Sequence, residues 1–507
     1  MPTKTRQTKP KPTPESGQPE TKSRPAKSTT TPKTAQTGAS PTKAKTRSTK
    51  SSQAKTSQTK GTQAESPQAD APQADAKKAK TRSAKTAQAD AQKTQAKASQ
   101  GQSTGLAFSI TASQSHLSSL LTTVAPAVQA NPTNPILSYL KMEALDGACR
   151  ITATDTSYTI TAQAECDTVH PGVGLLPAQL AHVIQAIPAS ETLALVGSTV
   201  EDATKIELSN GSGVISTTPI TLSVDHFLVA DLTTPGSHHD LPAETLKLAL
   251  QTVLGSAGPK DKGILHGVQL IFEAKSLRCQ ATDGHQIAMA TLETQALGRR
   301  RRQTAESEPV DCRIPLDTVK ALIKLLAQAA KDSDVELRLD TGEAPKAQFQ
   351  IQTDTAQVTL TCQCLAEAYP NLQQVIKPFT YGTSALVNRT SLLHQAQVIK
   401  AMGAKTPVAK LTLSDARLHL SMDGNEVSGI QTVQASLDMP DPKFETALNL
   451  DLLINLARSA TGEQLRLELG SPESLIKLSP VASELDGLGV VGYMMPVRII
   501  SPDQAQS

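Results

Sequence analysis

The 507-residue chain consists of two parts with opposite net charge. Residues 1–104 contain 21 Lys+Arg and 6 Asp+Glu, a net charge of +15, whereas the remainder contains 29 basic and 41 acidic residues, a net charge of −12. After Met1, no Val, Ile, Leu, Met, Phe, Tyr or Cys precedes Leu106. Ordering a backbone costs roughly 1–2 kcal/mol per residue, and a segment without these side chains cannot offset that cost. This composition excludes a folded domain in residues 1–104 and predicts a disordered basic tail.

The tail repeats short basic units on a Lys/Thr/Ala/Gln/Pro background. Dispersed lysines on a flexible chain suit non-specific contact with phosphates, in which released counterions supply the affinity. The segment has no aromatic side chain to stack on bases, which argues against sequence-specific or single-strand recognition. A solubilising spacer without a partner is the alternative.

Beyond the tail, the same series of predicted elements occurs three times. Each series opens with an amphipathic helix, because apolar side chains recur at helical spacing on one face. The three stripes are Leu117, Leu120, Leu121 and Val124; Leu246, Leu250, Val253 and Leu254; and Leu392, Leu393, Ala396 and Ile399. Alternating runs typical of strands follow each helix.

A second helix and further strands complete each series. The second helices are indicated by Leu180, Val183, Ile184 and Ile187; by Val319, Leu322, Ile323 and Leu326; and by Leu453, Leu456, Ala457 and Ala460. Equivalent aspartates (Asp155, Asp283 and Asp423) are 128 and 140 residues apart, so each series has the size of an ordinary domain. Amphipathic helices on strand-rich sheets predict an α+β fold in two layers. Because consecutive repeats usually pack together, we expect a curved or ring-like array, with three independent domains as the alternative.

The sequence predicts neither a membrane protein nor an exported one. No run of about 18 apolar residues is present, and the N-terminus lacks the apolar stretch of a secretory signal. An organellar transit peptide remains an alternative for the Lys- and Thr-rich tail. The six cysteines are scattered through the body, and Cys362 and Cys364 lack the CxxC spacing of a metal or redox site. We predict buried, reduced thiols in a cytosolic protein.

No residue pattern in the body predicts catalysis. Nucleotide-binding, serine-hydrolase and zinc-protease motifs are absent. His238-His239-Asp240 is the best metal-like cluster, but adjacent residues cannot point at one ion from one helix face. Asp283-Gly-His285 could form half of an acid–base pair, yet Asp-Gly between two strand-like runs is foremost a turn. We therefore predict a non-enzymatic scaffold with no catalytic residue, no metal and no cofactor.

Four short motifs occur in a defined order along the body. They are Asn131-Pro-Thr-Asn-Pro-Ile-Leu137, Ala281-Thr-Asp-Gly-His-Gln-Ile287, Ala368-Tyr-Pro-Asn-Leu372 and Met494-Met-Pro-Val-Arg-Ile499. In this order and spacing the chain resembles the bacterial β sliding clamp, the processivity subunit of the replicative DNA polymerase. The resemblance covers roughly residues 105–500 and leaves the tail outside it.

The resemblance implies a homodimeric ring closed head to tail around double-stranded DNA, with helices lining the lumen and sheets outside. It divides the chain into the tail (1–104) and three clamp domains (105–235, 236–378 and 379–507). The implied partners are the replicative DNA polymerase, the clamp loader and other proteins with short peptide motifs, in a cytoplasmic, nucleoid-associated setting without a membrane. A clamp-derived scaffold or specialised paralogue that recruits partners without a direct replication role is the alternative.

The resemblance also assigns a partner-peptide pocket between the second and third domains. The matching positions are Leu265, Thr282, Gly284, His285, Gln286, Ile287, Pro370, Val375, Met495, Pro496, Val497 and Arg498. Met402 is expected near the third-domain side of the dimer contact, and the strand at Val214-Ile215 near the first-domain side.

Four lysines are the predicted DNA-binding residues. Lys320 and Lys324 are four apart on the helix after Pro315, opposite its apolar stripe, and Lys260 and Lys262 lie in the preceding loop. An ordinary solvated helix face is the alternative, since exposed lysines are common.

The chain departs from the family pattern at several positions. Asn131 stands where a basic residue is typical, Leu316 and Asp317 replace another, and Gln286 stands where Arg is common. Arg299–Arg302 begins an insertion-like loop without an assigned role. We hypothesise that the lumen has lost positive charge and that the basic tail restores attraction to DNA.

Overall fold

The computed structural model describes residues 105–498, apart from residues 130, 201, 231, 233–235, 274–275, 294–309, 341, 404–405, 424–426, 440–443 and 483–486. The basic tail and the Arg299–Arg302 loop therefore lie outside the described residues. The described residues all fall within one compact unit. They contain three repeats of one series of strands and helices.

The first repeat spans residues 105–216. Its elements are β1 (Gly105–Ser113), α1 (Gln114–Val124), β2 (Tyr139–Leu145), β3 (Ala148–Thr154), β4 (Tyr158–Glu165), β5 (Asp167–His170), β6 (Gly172–Pro177), α2 (Gln179–Ala186), β7 (Thr192–Val200), β8 (Ala203–Asn210) and β9 (Gly213–Ser216). Strand β5 has no equivalent in the described parts of the other two repeats.

The second repeat spans residues 237–363. Its elements are β10 (Ser237–Pro242), α3 (Ala243–Leu254), β11 (Gly267–Phe272), β12 (Ser276–Thr282), β13 (Gln286–Glu293), β14 (Val310–Pro315), α4 (Leu316–Leu326), β15 (Asp334–Asp340), β16 (Lys346–Gln352) and β17 (Gln357–Gln363). A kinked 3₁₀ segment, Lys260–Leu265, precedes β11.

A short helix, α5 (Leu372–Ile376), precedes the third repeat, which spans residues 383–494. The elements of the third repeat are β18 (Thr383–Asn388), α6 (Arg389–Lys400), β19 (Val408–Ser414), β20 (Arg417–Asp423), β21 (Ser428–Leu437), β22 (Phe444–Asn449), α7 (Leu450–Ser459), β23 (Gln464–Leu469), β24 (Ile476–Pro480) and β25 (Leu488–Met494). Each repeat thus has two halves, and each half is a strand, a helix and three strands. The predicted α+β fold is confirmed.

The predicted apolar stripes of the six main helices are largely buried. Side-chain oxygens of Ser113, Asn388 and Asn449 accept hydrogen bonds from first-turn amides, whereas α3 and α4 follow Pro242 and Pro315. The apolar stripes face the sheets. One hydrophobic core runs through all three repeats, because the helices of each repeat cover sheets that continue into the next one.

The sheets cross the boundaries between repeats. Three sheets have the orders β5-β1-β7-β8-β9, β10-β15-β16-β17-β4-β3-β2-β6 and β14-β11-β12-β13-β25-β24-β23-β18-β21-β20-β19-β22. The pair β4–β17 joins the first repeat to the second, with Ile160 opposite Leu360. The pair β13–β25 joins the second to the third, with Ala288 opposite Gly492. Within the described part of the chain, no helix combines the length and apolar character needed to cross a membrane.

Candidate functional site

An apolar cavity of about 160 Å³ opens where the second repeat meets the third. It lies between the β12–β13 hairpin, the connection that contains α5, and the end of β25. Nine of the twelve residues assigned from the sequence line it: Leu265, Thr282, Gly284, His285, Gln286, Ile287, Pro370, Val375 and Met495. Leu372, Leu475 and Tyr493 line it as well and were missed by sequence reasoning. We call this cavity, with its twelve lining residues, the cleft.

The other three assigned residues lie beside the cleft rather than in its lining. After Met495 the chain turns away toward β22, where the amide of Val497 donates to the carbonyl of Ala447 at 2.7 Å. Pro496 is half-buried at this turn. The Arg498 side chain is exposed, with its Nε 4.0 Å from a carboxylate oxygen of Glu473. Arg498 and Glu473 therefore place opposite charges beside the cleft.

The cleft has a buried apolar floor and an exposed apolar rim. Ile287, Leu372, Leu475 and Tyr493 belong, together with Met289, to a small hydrophobic cluster separate from the main core. At the rim, Val375 and Met495 are 46% and 47% exposed. Half-exposed Val and Met side chains beside a cavity leave apolar area that a ligand can remove from water, and Met adapts to ligands of different shape.

A tight turn shapes one wall of the cleft. Between β12 and β13, a carboxylate oxygen of Asp283 accepts hydrogen bonds from the amides of His285 and Gln286, at 2.8 and 2.9 Å. Gly284 has a φ of +91°, a conformation that residues with a Cβ rarely adopt. Asp283-Gly-His285 thus forms the predicted turn, and the Asp283 carboxylate accepts hydrogen bonds from backbone amides of that turn. The carbonyl of His285 accepts from the amide of Met495 at 2.8 Å, which ties the turn to the end of β25.

Gln286 is buried and its amide group is fully engaged inside the protein. Its Nε2 donates to a carboxylate oxygen of Asp283 at 3.0 Å, and its Oε1 accepts from Nδ2 of Asn455 at 3.0 Å. Asn455, on α7, also donates to the carbonyl of Gly255 at the end of α3, at 2.7 Å. The residue that stands where the family commonly has Arg therefore links the cleft to two helices, and its polar atoms are not available to a ligand.

Tyr369 and Arg313 support the opposite wall. The hydroxyl oxygen of Tyr369 accepts from the amide of Thr282 at 2.9 Å, and the Arg313 guanidinium lies over its ring, 5.7 Å from the centroid. Burial raises the pKa of Tyr369 to about 12, so the hydroxyl is neutral at physiological pH. These contacts hold the connection before Pro370 in place.

Three of the four predicted DNA-binding lysines lie on the surface near α4. Lys320 Nζ is 2.9 Å from Oδ1 of Asp317, and His266 Nε2 is 4.0 Å from the other oxygen. The hydrogen bond from Lys320 lowers the pKa of Asp317, and the charges of Lys320, His266 and Lys260 act in the same direction. Lys324 is exposed one turn further along α4. The acid that replaces a family basic residue thus sits among the basic groups and cancels part of their charge.

Lys262 is placed differently from the other three lysines. Its Nζ donates to the carbonyl of Asp283 at 2.5 Å, beside the Gly284 wall of the cleft. The 3₁₀ segment bends at Gly263, where φ is +31°, and this bend separates Lys262 from the apolar Leu265. The position of Lys262 in the loop sequence did not predict this contact with Asp283.

Two strands near the residues expected at the dimer contact have an open edge. Among the described strands, β9 pairs only with β8, and residues 428–434 of β21 pair only with β20. Val214 and Ile215 on β9 are 63% and 43% exposed, and Ile430 on β21 is 60% exposed. Met402 packs over β21, since a Cβ added to Gly429 would lie 2.5 Å from its Cε. Open edges with exposed apolar residues are typical of strands that pair with another chain.

No metal site is found in the described residues. They contain no group of three or more His, Cys, Asp or Glu side chains arranged to hold an ion. His238 lies 3.3 Å from carboxylate oxygens of both Asp240 and Glu336, whereas the neighbouring His239 stacks on Phe272 with centroids 4.0 Å apart. The two histidines alternate across β10 and point to opposite faces of the sheet.

Three two-part repeats with sheets that continue from repeat to repeat, and an apolar cleft between the second and third, form an architecture similar to that of solved sliding clamps. Residues 240–371 match the family model of the DNA polymerase III beta subunit, central domain. The chain is 26% identical over 396 residues to the beta sliding clamp of Synechococcus elongatus, covering 76% of this chain and 98% of the relative. It is 21% identical over 398 residues to that of Escherichia coli, covering 77% and 99%.

Solved structures show the same fold. A DnaN sliding clamp from Bartonella birtlesii bound to griselimycin has a TM-score of 0.67 and 22% identity, covering 77% of this chain and 100% of that one. The Caulobacter crescentus beta sliding clamp, with PEG bound to a putative beta-motif tethering region, has a TM-score of 0.66 and 19% identity, covering 78% and 100%. The predicted resemblance to the bacterial β sliding clamps is confirmed.

Proposed function

We propose that this protein is a DNA sliding clamp that encircles duplex DNA and tethers the replicative polymerase for processive synthesis. It has no catalytic role of its own and acts as a subunit of the polymerase. Similarity along 98% of a clamp relative supports this function. The observation that carries it is the pattern of sheet pairing, because that pattern implies a closed ring.

The strand pairing between repeats follows one pattern, and a single chain does not supply all the strands that this pattern requires. The fourth strand of one repeat, which ends its first half, pairs with the last strand of the next, as in β4–β17 and β13–β25. By the same rule β21, the corresponding strand of the third repeat, requires the last strand of a first repeat, which is β9 of another chain. Both strands have open edges among the described residues. We infer a head-to-tail homodimer in which Met402, Ile430 and the Val214-Ile215 strand lie at the contact.

A ring holds DNA by topology, so its contacts with phosphates can be weak and blind to sequence. The body carries a net charge of −12, which disfavours tight binding. Lys260, Lys320 and Lys324 supply local positive charge, and Asp317 reduces it. These lysines face DNA in the lumen, and the +15 tail adds long-range attraction. Lys262 serves chiefly to brace the cleft.

The cleft accepts short apolar peptide segments of the polymerase, the clamp loader and other partners. Its buried floor, its half-exposed rim and the engaged amide of Gln286 favour apolar anchors over hydrogen-bonding side chains. The ligand-bound clamps of Bartonella birtlesii and Caulobacter crescentus support such a role by analogy. Pro496, Val497 and Arg498 lie at its edge and contact the flanks of a longer peptide.

The three repeats correspond to clamp domains at residues 105–235, 236–378 and 379–507, and the protein acts in the cytoplasm at the nucleoid. A clamp-derived scaffold without a replication role is the second candidate. It is favoured by the departures from the family pattern at Asn131, Asp317 and Gln286.

Loading on circular DNA tests the function. The protein, a clamp loader and ATP are incubated with nicked circular duplex, and bound protein is separated by gel filtration. A sliding clamp stays on the circle at high salt, leaves after the circle is cut, and lengthens polymerase products. Retention without longer products would favour the scaffold, and no retention at all would contradict both ring and clamp.

A further inference from the structure

Three of the six cysteines converge in the second repeat. Cys312 lies on β14, Cys362 on β17, and Cys364 follows β17 by one residue. The segment after β17 runs beside β14, because the amide of Leu365 donates to the carbonyl of Arg313 at 2.9 Å. The Cys364 thiol interacts with those of Cys312 and Cys362. Sequence spacing gave no indication that Cys312 joins the pair.

Two of these thiols border a cavity separate from the cleft lining. The cavity has a volume of about 720 Å³ and is lined by Cys312, Cys364 and mainly polar residues, including Arg313. Cys312 and Cys364 retain 6% and 4% exposure, whereas Cys279 is fully enclosed in the core. Cys312 and Cys364 are therefore better placed than Cys279 for contact with a small oxidant from the cavity.

We propose that Cys364 and Cys312 form a peroxide-reactive dithiol that closes into a disulfide. The Cys364 thiolate attacks one oxygen of hydrogen peroxide, the O–O bond breaks, and the leaving hydroxide takes a proton to become water. Cys364 is left as a sulfenic acid. The Cys312 thiol then loses its proton and attacks that sulfur; the S–S bond forms, the S–O bond breaks, and a second water leaves. Two thiols are oxidised by two electrons, and the peroxide is reduced to water.

The backbone favours Cys312 over Cys362 as the resolving partner. Residues two apart on an extended chain are separated by about 6.6 Å between Cα atoms, near the upper limit for a disulfide. Cys312, unlike the fully buried Cys362, lines the same cavity as Cys364. Cys364 and Cys312 are each adjacent to a residue of the bonded pair Leu365 and Arg313. The link would connect the segment leading to Pro370 with the strand leading into α4.

The thiols also differ in acidity. Hydrogen bonding with Cys312 and Cys362 lowers the pKa of Cys364 to about 5, whereas the pKa values of Cys312 and Cys362 lie well above the usual range. Cys364 is therefore the nucleophile of the group, since the thiolate is the reactive form.

Thiol mapping of the full-length reduced protein tests the proposal. The protein is treated with hydrogen peroxide, the peroxide is removed with catalase, free thiols are blocked with N-ethylmaleimide, and peptides are identified by mass. We expect two of the six thiols to be lost, a linked Cys312–Cys364 peptide, and full reversal by dithiothreitol. A Cys362–Cys364 link, or six free thiols after peroxide, would overturn the proposal.

Variants distinguish the nucleophilic thiol of Cys364 from the resolving thiol of Cys312. In Cys312→Ser, a sulfenic acid should persist on Cys364 and be trapped by dimedone; in Cys364→Ser, Cys312 should stay reduced. Cys279→Ser, which removes an enclosed thiol, should leave the link unchanged. If a variant does not fold, the wild-type map decides. Equal oxidation of Cys312 with and without Cys364 would show that no dithiol exists.

Discussion

Oε1 of Gln286 accepts a hydrogen bond from Nδ2 of Asn455 at 3.0 Å, across 169 residues of sequence. The bond joins the wall of the cleft to α7, and the same Asn455 amide donates to the carbonyl of Gly255 at the end of α3. Two helices of different repeats and the cleft are thus held by one small polar network. Because Gln286 is buried, the network must stay complete to be stable.

Asn455→Ala should destabilise the protein by about 1–3 kcal/mol, because it leaves the buried Oε1 of Gln286 without a donor. Urea unfolding followed by circular dichroism measures the change in the free energy of unfolding. Arg458→Ala, at an exposed position of the same helix, is the matched control and should stay within about 0.5 kcal/mol of the wild type. Equal effects of the two changes would show that the network contributes nothing specific.

Val375→Asp should weaken binding of a partner-derived peptide by at least about tenfold, because a peptide seated in the cleft would desolvate the new carboxylate. Fluorescence anisotropy with a labelled polymerase peptide measures the Kd. Val481→Asp is the control, since Val481 is equally exposed, at 49% against 46%, and lies outside the cleft. A similar loss in both variants would move the peptide site elsewhere.

Ile430→Lys should shift the protein from dimer to monomer, because it places a charge on the open edge of β21 opposite the expected β9 of a second chain. Sedimentation equilibrium gives the mass in solution. Leu228→Lys serves as the control, because Leu228 is 80% exposed and lies on neither open edge. A wild-type monomer at all concentrations would already contradict ring closure through these strands.

Asp317→Asn should strengthen DNA association at low salt, because it frees Lys320 from its ion pair and removes a negative charge from the lysine surface. One additional phosphate contact should steepen the dependence of log K on log salt by about 0.9. Asp334→Asn, at an exposed position away from this cluster, controls for the change in net charge. Identical salt slopes for the two variants would exclude Asp317 from the DNA surface.

The same ion pair predicts a pH dependence of stability. The folded protein lowers the pKa of Asp317, chiefly through the hydrogen bond from Lys320. The pair therefore stabilises the fold above the pKa of the unfolded chain, and this contribution is lost as the pH falls through the lowered value. Asp317→Asn should remove that part of the acid transition in thermal unfolding, whereas Asp334→Asn should keep it.

Deleting residues 1–104 should weaken DNA association at low salt and flatten its salt dependence, because 21 basic residues are removed with 6 acidic ones. Filter binding across a salt series measures both quantities. A matched tail in which every Lys and Arg is replaced by Gln keeps the length and removes the positive charge. If this version behaves like the wild type, the tail is a spacer.

Much of the architecture was accessible to sequence reasoning. The helical stripes at Leu117, Leu246 and Leu392 predicted three amphipathic helices, and all three residues are buried. Burial of one helix face is a local requirement, so it leaves a periodic pattern in the sequence. The Asp283-Gly turn was likewise predictable, because its backbone geometry restricts the residues that can occupy it.

The residues of the cleft were only partly predictable from the sequence. Leu475 comes from the third repeat, and nothing near it in the sequence indicates that it meets Leu265 of the second. The contact of Lys262 with Asp283 and the approach of Cys312 to Cys364 are of the same kind. Such contacts depend on how distant strands pair, and pairing between strands leaves no periodic signal in either one.

By itself the sequence determined that residues 1–104 lack the apolar surface to fold and that the body is a threefold α+β repeat, because composition and periodicity are properties of each segment alone. The tertiary structure decided which strand edges remain open, which side chains meet in the cleft, and which basic groups lie close enough to Asp317 for its charge to offset theirs. These outcomes depend on which residues, often far apart in the chain, the fold brings close together, because the energy of a contact depends on the distance between its groups.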